Sequence, residues 1–587
     1  MTDNDQSFRS ILRPTSGPSK RVSRRNLVRG AAGGAAAFGA AAALPRITFA
    51  QDSTPAATPG ATPDATPGST PVAGGTQPVP GQIHYPSGRE GVPDAYTGLP
   101  EQFVSSQGAP GTGGTVRALT IAYDPPPPGR DSNPYWQELE RRLGVTWEID
   151  IVPQPQYGEV TSARLAGGDL PDIFYINPGQ SAPQQYQALQ QGAFQDLTPY
   201  VTGEALQQFP NLRNIPEYVW NNVKFQGKIL GIPSPHSSRY GNVPHYRSDW
   251  AETVGLSGAQ GPEQMMQLLQ AFTSGDPNGN GNPDTWGQGR FEGGWLPWDN
   301  TLASTMFRVP HDWRVNPDGT MTYQIETDEY RQAIDYMRQL YAAGTYHPDA
   351  ANMTFSTAQE AFIAGTTGLH SEGFGSFYGT GSVTDRAQLV NPAAAVTAMY
   401  PVGPDGQPGV VRNTPGFFGF NGIPASVTDE DRVMELLRIL DYLNSPFGSE
   451  EWLFLNYGIE GTHFNRDPET GAPIVTDQLR QDRSALVYLM PPSPTFYYPD
   501  QPELALTVMD QAIRNFDIGI DNPALTLFSE TNVENGPALN QFGADSINAI
   551  VTGRASFEEL DAAIAGWRER GGDQIRAEYE EALAQQG

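Results

Sequence analysis

The sequence predicts an α/β fold whose sheet contains parallel strands. Residues 116–123 form a short apolar stretch that ends at four prolines, and residues 145–151 alternate apolar and polar side chains, as a half-buried strand does. Between them, Asn133 and Pro134 open a helix that Gly144 ends. A strand, a helix and a strand in this order form a βαβ unit, and such units build parallel sheets with ligand loops at the carboxyl ends of the strands.

Two loops follow predicted strands at that edge. Residues 124–133 follow the first strand, and residues 178–181 follow a third strand predicted at 172–177. Later segments carry apolar residues at helical spacing, and these stripes indicate helices that face the core. They include residues 262–272, 330–341 and 433–440.

Length, charge and composition narrow the class of protein. A chain of 587 residues exceeds one ordinary hydrophobic core, which predicts two domains. Its net charge of −29 repels phosphate backbones and anionic lipid head groups, so nucleic acid is not an expected partner. The chain has no cysteine, which excludes disulfides, cysteine zinc sites, a thiol nucleophile and a lipid anchor on cysteine.

The first 50 residues resemble a twin-arginine export signal. Arg24 and Arg25 precede an apolar, Ala/Gly-rich run at 31–44, and Thr48-Phe49-Ala50 has the small residues that a signal peptidase needs. The alternative is a membrane anchor, but the run is shorter than the ~20 apolar residues of a spanning helix. We expect residues 1–50 to be a signal peptide that is cleaved after Ala50.

A repeat follows the signal. Thr-Pro recurs every four residues from Thr54 to Thr70, without apolar side chains that could be buried, and residues 75–114 remain rich in Gly, Pro, Ser and Gln. Residues 51–114 are therefore predicted to be a disordered linker, with the folded body starting near Thr115. The repeat is either a spacer from the cell wall, glycosylated or not, or an inert tether.

Catalytic motifs are missing from the sequence. The nearest approach to a nucleophile elbow, Phe374-Gly375-Ser376, lacks the first glycine, and neither a zinc-protease helix nor a phosphate-binding glycine loop is present. A pair of glycosidase carboxylates has no sequence pattern, because the fold sets the distance between them. An exported glycan-active hydrolase or lyase therefore stays the alternative to a binding protein.

One motif is specific for a metal. The loop that starts at Asp276 places oxygen-bearing side chains at positions 1, 3, 5 and 9, with glycine at position 6 and a backbone carbonyl at 7. This is the spacing with which an EF-hand-type loop binds calcium. Position 12 is Gly287 instead of glutamate, so a structural site of modest affinity is expected. The alternative is a metal-free Asn/Gly turn. The predicted ligands are Asp276, Asn278, Asn280, Asn282 and Asp284.

This loop, together with other segments in the same order, resembles the extracellular solute-binding proteins of ABC sugar importers. The similarity is greatest to the subgroup of calcium-containing alginate- and oligosaccharide-binding proteins, and it covers about 115–585. The segments that carry it are residues 165–172, with the sequence Leu-Ala-Gly-Gly-Asp-Leu-Pro-Asp, and residues 192–200, 227–233, 246–250, 457–461 and 571–579.

The resemblance implies a type II periplasmic-binding-protein fold, in which two lobes are joined by a hinge. Each lobe would have a mixed, mostly parallel sheet flanked by helices. Lobe one would comprise 115–235 plus 401–465, and lobe two 240–400 plus 470–587, with strands crossing near 234–239 and 401–415. Such a protein, expected to be a monomer, captures an oligosaccharide without catalysis and delivers it to ABC permease subunits in the membrane. It would act in the periplasm or at the cell surface.

Carbohydrate clefts combine aromatic platforms with polar groups that make paired hydrogen bonds. Aromatic residues cluster in predicted loops next to glycines, and each is alternatively a core residue; Phe418, Tyr497 and Tyr498 belong to the same clusters. The predicted polar contacts are Asn177, Glu372 and Arg412. The predicted aromatic contacts are Tyr240, Trp295, Trp298, Phe374, Phe377, Tyr378 and Phe417.

Overall fold

The structure is a computed structural model, and the residues it describes start after the predicted signal and the Thr-Pro repeat. Both of these predictions therefore lie outside the described residues, which all fall within one compact unit, residues 69–587. The described residues are 76–123, 125–178, 183–235, 239, 241–290, 294–379, 381–490 and 494–586.

Residues 76–114, called here the N-terminal segment, pack against the rest of the protein. Strand β1 (His84–Tyr85) pairs antiparallel with β2 (Ala95–Tyr96), and β2 pairs parallel with residues 496–497. Tyr85, Val92 and Ala95 are buried. The prediction of a disordered linker up to residue 114 is wrong for this segment, because its few apolar side chains find partners far away in the sequence.

The next stretch builds the sheet of the first lobe and confirms the predicted βαβ unit. Asn133 caps the first helix by accepting a hydrogen bond from the Trp136 amide at 3.0 Å, and Gly144 ends it with a φ of 72°. The elements are β3 (Thr115–Ala122), α1 (Pro134–Leu143), β4 (Thr146–Pro153), α2 (Gln154–Gly167), β5 (Ile173–Ile176), α3 (Pro183–Gln190), α4 (Glu217–Asn222), β6 (Lys224–Phe225), β7 (Lys228–Ile229) and β8 (Ile232–Pro235). Strand β3 is parallel to both β4 and β5.

The second lobe follows. Its elements are β9 (Asn242–Arg247), α5 (Ser248–Thr253), α6 (Pro262–Ser274), β10 (Trp286–Gln288), α7 (Leu302–Met306), β11 (Trp313–Val315), β12 (Met321–Tyr323), α8 (Asp328–Ala342), α9 (Phe355–Ile363), β13 (Thr367–Gly373), α10 (Val383–Val390) and β14 (Val396–Ala398). Its mixed sheet has the order β10-β13-β9-β14, in which β10 and β13 are parallel.

The chain then returns to the first lobe and ends in the second. The remaining elements are β15 (Val411–Arg412), β16 (Phe417–Gly422), α11 (Glu430–Leu443), α12 (Glu450–Tyr457), β17 (Phe464–Arg466), β18 (Pro473–Val475), α13 (Asp477–Arg483), β19 (Phe496–Tyr497), α14 (Leu504–Phe516), β20 (Gly519–Ile520), α15 (Glu530–Val551), α16 (Glu559–Trp567) and α17 (Asp573–Gln586). Strand β16 enters the first sheet antiparallel, which completes the order β4-β3-β5-β16-β8.

Two large hydrophobic cores define the lobes. The first core contains buried residues from 116–232 and 417–490, and the second contains residues from 246–399 and 524–579. Leu479, Leu486 and Met490 belong to the first core, so the structure differs from the predicted lobe boundary near residue 470. Helix α13 folds back onto α1, a long-range contact that the sequence pattern does not reveal.

Two crossings between the lobes lie side by side. The chain leaves the first sheet after β8 and enters the second at β9, and it returns between β15 and β16. The Gly241 amide donates to the Arg412 carbonyl at 2.9 Å, so backbone of the two crossings is hydrogen-bonded. Strand β15 also pairs with β20, which places the end of α14 at the same point. This crossing region forms the hinge between the lobes.

Candidate ligand-binding cleft

The carboxyl ends of the first lobe's parallel strands meet at the edge of the sheet that faces the second lobe. Tyr123 follows β3, Asn177 follows β5, and Pro235 ends β8. Strand β8 is parallel to β5 because both pair antiparallel with β16, and β5 is parallel to β3. The Asn177 amide donates to the Tyr123 hydroxyl at 3.4 Å, so two of these ends are in contact. In open sheets, ligands bind at this edge.

A first cavity lies beside this edge and has a volume of about 1300 Å³. Both lobes line it, which makes it an inter-lobe cleft. Its lining contains tyrosines together with charged and amide side chains, and this mixture suits sugar rings. From the first lobe come Tyr123, Trp452, Asn456, Tyr457, Arg480 and Arg483, from the second Ser356, Gln359, Glu360, Tyr378 and Arg386, and from the segment around β19 Tyr497, Tyr498 and Asp500.

Tyr123 is the most accessible aromatic group at the strand ends, with 44% of its surface exposed. Its ring centroid lies 5.5 Å from that of Tyr488 and 6.0 Å from that of Phe418. Partial burial raises the pKa of Tyr123 to about 12, so its hydroxyl stays protonated and able to donate at neutral pH. Tyr123 therefore lines the first cavity with a partly exposed ring and a protonated hydroxyl.

Two smaller cavities lie near the hinge. The second has a volume of about 580 Å³ and lies between Asn222 of the first lobe and Thr301 of the second. The third, of about 390 Å³, lies within the second lobe. The second and third cavities share Asp312, Arg412 and Asn522 in their linings, so they adjoin.

Polar contacts fix the side chains at this junction. Arg412 donates to the Gln324 side-chain oxygen at 2.7 Å and to the Pro310 carbonyl at 3.0 Å. Asn522 donates to the Asp312 carboxylate at 2.9 Å. The junction therefore presents one guanidinium and one carboxylate, each oriented by an amide side chain.

The structure brings several predicted site residues to these cavities. Tyr378 lines the first cavity, Arg412 lines the second and third, and Trp295 lines the third. Glu372 reaches the first cavity indirectly, because Gln359 of its lining donates to the Glu372 carboxylate at 2.6 Å. Burial opposes ionisation of Glu372, but His370 and the bond from Gln359 outweigh it and lower its pKa.

Other predicted aromatic contacts are core residues. Trp298, Phe374 and Phe377 are at most 1% exposed, and Phe417 is 7% exposed. Phe377 stacks on His245 at a centroid distance of 3.7 Å, and the Trp298 indole donates to Asn548 at 3.2 Å. The prediction that these four rings stack on ligand is therefore wrong in this structure, because packing inside the protein covers their faces. Tyr240 lies outside the described residues.

Sequence reasoning did not single out Tyr123, Trp452 or Tyr457 as site residues, although all three line the first cavity. For Tyr123 a signal existed, since it follows a strand of the predicted βαβ unit. For Trp452 and Tyr457 the sequence gives no such signal, because the apolar residues of α12 predict a buried helix. The fold of the first lobe brings this helix to the cleft.

Side chains of the predicted calcium loop form hydrogen bonds within the loop. Asp276 accepts hydrogen bonds from the amides of Asn280 at 3.1 Å and Gly281 at 3.0 Å, while Asn280 and Asn278 donate to Asp284 at 3.0 and 3.1 Å. These two bonds lower the pKa of Asp284. No three His, Asp or Glu side chains gather as metal ligands in the described part of the chain, and this loop offers two carboxylates with amide oxygens around them.

Three comparisons with known proteins place the fold. The chain is 26% identical over 505 residues to the polygalacturonan/rhamnogalacturonan-binding protein YtcQ of Bacillus subtilis strain 168, covering 82% of this chain and 94% of that protein. Its fold matches the substrate-binding protein FusA of Streptococcus pneumoniae in complex with kestose, with a TM-score of 0.59, 17% identity and coverage of 80% and 99% of the two chains. It also matches the alginate-binding protein AlgQ2 solved without calcium ion, with a TM-score of 0.57, 15% identity and coverage of 83% and 100% of the two chains.

These likenesses agree with the two sheets, the two cores and the paired crossings, and confirm the predicted two-lobed periplasmic-binding-protein fold. Among the described residues, no helix is long and apolar enough to cross a membrane. The family model for bacterial extracellular solute-binding proteins matches residues 135–455, more than half of the sequence. The chain belongs to the family of bacterial extracellular solute-binding proteins.

Proposed function

We propose that this protein captures an oligosaccharide between its lobes and delivers it to an ABC import permease. The observation that carries the proposal is the cavity of about 1300 Å³ that both lobes line with tyrosines and hydrogen-bonding groups. Ligand pockets usually measure about 300–1,000 Å³, so this cavity has room for more than one sugar unit. The names of the relatives, which bind polygalacturonan and kestose, support the same class of ligand.

Sugar rings have apolar C–H faces and rims of hydroxyls. The first cavity meets the faces with Tyr123 and Tyr498, and the rims with Gln359, Asn456 and Arg483. A Cβ at Gly379 would lie 2.9 Å from the Tyr498 ring, so glycine there lets the ring approach the second lobe's backbone. Arg483 already donates to the Leu455 carbonyl at 2.7 Å, which orients its guanidinium. Closure about the hinge would bury a bound chain between these groups.

Calorimetric titration of the purified mature protein with kestose, maltotriose, tetragalacturonate and xylotetraose tests this proposal. Saturable binding of at least one oligosaccharide is expected, and chromatography afterwards should recover that sugar uncleaved. Cleaved products would support the alternative of a glycan-active hydrolase or lyase. Absence of binding to every sugar, together with binding to peptides or polyamines, would contradict the carbohydrate assignment.

We propose further that the loop from Asp276 to Asp284 holds a structural calcium ion. Side chains at positions 1, 3, 5 and 9 already converge, and Gly279 and Gly281 adopt positive φ values of 68° and 79° that the tight loop requires. The carboxylate, side-chain amide and backbone carbonyl groups of the loop all offer oxygen atoms as metal ligands, which suits a hard cation. When bound, the ion would tie the end of α6 to β10, which lie on either side of the loop.

Removal of calcium tests this site. EGTA should lower the melting temperature of the wild-type protein, and calcium should restore it. Asp284→Asn should remove the calcium response. Asp467→Asn is the matched control, because Asp467 also closes an exposed turn by accepting from the Thr470 amide at 2.8 Å, without the calcium-loop spacing. An unchanged melting temperature in EGTA would contradict the proposal.

Export through the twin-arginine pathway is proposed from the sequence alone, as is a monomeric receptor in the periplasm or at the cell surface. Conversion of Arg24 and Arg25 to lysine should retain the precursor in the cytoplasm, and cell fractionation with an antibody measures this. Export of the double variant at the wild-type rate would contradict the twin-arginine proposal. Size-exclusion chromatography with light scattering checks the monomer.

A further inference from the structure

We propose that the hairpin of β1 and β2, residues 84–96, restricts the opening of the cleft and thereby raises the affinity for ligand without contacting it. This inference rests on the proposed function and adds a positioning role for the N-terminal segment. Strands β1, β2 and β19 form a three-stranded sheet, called here the bridging sheet. Its strand β19 carries Tyr497, which lines the first cavity.

One face of the bridging sheet packs against the second lobe. Successive side chains of a strand point to opposite faces of its sheet, so the two faces have different neighbours. Ala95 and Phe496, which are partners in the parallel pairing of β2 with β19, are buried in a hydrophobic cluster. The same cluster contains Val243 of β9 and Phe374, which follows β13. Strands β9 and β13 are central in the sheet of the second lobe.

The other face packs against the first lobe, behind the wall of the first cavity. Tyr96 and its partner Tyr497 lie on this face. The centroid of the Phe447 ring lies 4.3 Å from that of Tyr96, 5.3 Å from that of Tyr497 and 4.6 Å from that of Trp452 in α12. Trp452 and Tyr497 line the first cavity, whereas none of the described residues before Tyr123 does. The hairpin therefore supports the cavity wall from outside the cavity.

The loop of the hairpin contacts the hinge. The amide of Arg239, in the first crossing, donates to the Gly91 carbonyl at 3.2 Å. Gly91 has a φ of 89°, and a Cβ there would lie 3.1 Å from the Cβ of Arg239. Arg89 donates to the carboxylate of Asp517, which follows α14, at 2.9 Å. The hairpin thus meets both lobes and the crossing between them.

Opening of the hinge has to pull one face of the bridging sheet away from its lobe. That movement exposes apolar surface to water, so the sheet opposes it. Residues 99–112 differ, because Ser105 and Thr112 donate to Glu451 and Glu435 of the first lobe and so follow that lobe alone. Restricted opening raises the fraction of molecules in the binding arrangement, and the apparent affinity rises with that fraction.

Substitution of Tyr96 tests the hairpin. In Tyr96→Ala the ring behind the cavity wall is lost, and we expect the affinity for the oligosaccharide found by calorimetry to fall about fivefold. Tyr96→Phe keeps the ring and should keep the wild-type affinity. Tyr200→Ala is the matched control, because Tyr200 is also half-buried in the first lobe but lines none of the three cavities among the described residues. Its affinity should stay unchanged although its melting temperature falls. Wild-type affinity in Tyr96→Ala would overturn the inference and leave the proposed function intact.

Two glycine variants test the contact with the hinge without removing an apolar side chain. Gly88 and Gly91 both lie in the hairpin loop, with positive φ values of 64° and 89°. A Cβ at Gly88 would meet no atom of the described residues, unlike one at Gly91. Gly91→Ala should therefore weaken the oligosaccharide affinity about threefold, and Gly88→Ala should leave it unchanged. Equal affinities in the two variants would contradict the contribution of the hinge contact.

Hydrogen exchange of the wild-type protein provides a further test. Because ligand and hairpin favour the same arrangement of the lobes, a saturating oligosaccharide should slow the exchange of amides in residues 84–96. Residues 99–112 are the internal control, and their exchange should be equal with and without ligand. Unchanged exchange of the hairpin on ligand binding would overturn the inference. Failure of all sugars to bind would instead overturn the proposed function.

Discussion

Two buried polar clusters, one in each lobe, differ in how their hydrogen bonds are satisfied. In the first lobe, Asp441 accepts from the amides of Asn211 at 2.8 Å and Leu212 at 2.9 Å, and the Asn211 side chain donates to the Asp441 carbonyl at 3.1 Å. In the second lobe, the Trp295 indole and Arg412 Nε have no acceptor in the described portion of the protein.

The difference distinguishes a cluster that stabilises its lobe from residues that line a cavity. The Asp441 cluster satisfies its groups internally and joins α11 to the loop around Asn211, so its function is to stabilise the first lobe. Trp295 and Arg412 line the third cavity, and their indole nitrogen and Nε atom gain no hydrogen bond from the described residues. Variants of the first cluster should therefore change stability alone, and variants in the cavities should change affinity alone.

The largest effect is expected for Asp441→Ala. The change leaves the buried amides of Asn211 and Leu212 without their acceptor, and an unsatisfied buried group costs about 1–3 kcal/mol. The free energy of unfolding measured in urea should fall by about 3 kcal/mol, with unchanged oligosaccharide affinity. A loss of affinity without a loss of stability would break the distinction between the two clusters.

A smaller effect on affinity is expected for Tyr123→Ala. Loss of a stacking ring costs about 1.4 kcal/mol, or a tenfold weaker oligosaccharide affinity by calorimetry, while the melting temperature changes little. Tyr341→Ala is the matched control, because Tyr341 is similarly exposed, 39% against 44%, but lines none of the three cavities among the described residues. Equal affinities in the two variants would show that the strand end at Tyr123 does not contact ligand.

The smallest effect concerns pH. Burial raises the pKa of Asp441 to about 6, above that of an unfolded aspartate, so the folded state binds the proton more tightly. The stability that protonated Asp441 contributes is therefore complete below the pKa of an unfolded aspartate, and it is lost as the pH rises through 6. Between pH 7 and pH 5, the stability of the wild type should rise by about 1 kcal/mol relative to Asp441→Asn. A difference that is independent of pH would contradict the raised pKa.

Local sequence signals predicted the elements that depend on local physics. Asn133, Pro134 and Gly144 gave the correct bounds of α1, because capping and left-handed termination involve residues close in sequence. The convergence of side chains in the Asp276 loop follows from its spacing in the same way. These features need no knowledge of the rest of the chain.

Features that depend on long-range packing could not be predicted. The N-terminal segment looks like a linker in composition, but Ser105 and Ser106 donate to Glu451, and Thr112 donates to Glu435 at 2.6 Å. Likewise, Phe374 and Phe377 lie next to glycines as ligand platforms do, yet they pack around His245. The residues next to an aromatic side chain in the sequence do not show whether distant parts of the chain will bury its ring.

We expect an oligosaccharide to bind between the two lobes without being cleaved. A crystal structure of the protein with the oligosaccharide identified by calorimetry tests it most directly. We expect an intact sugar chain in contact with Tyr123 of the first lobe and Tyr378 of the second. A sugar bound on the outside of one lobe, or cleaved in the cleft, would contradict it.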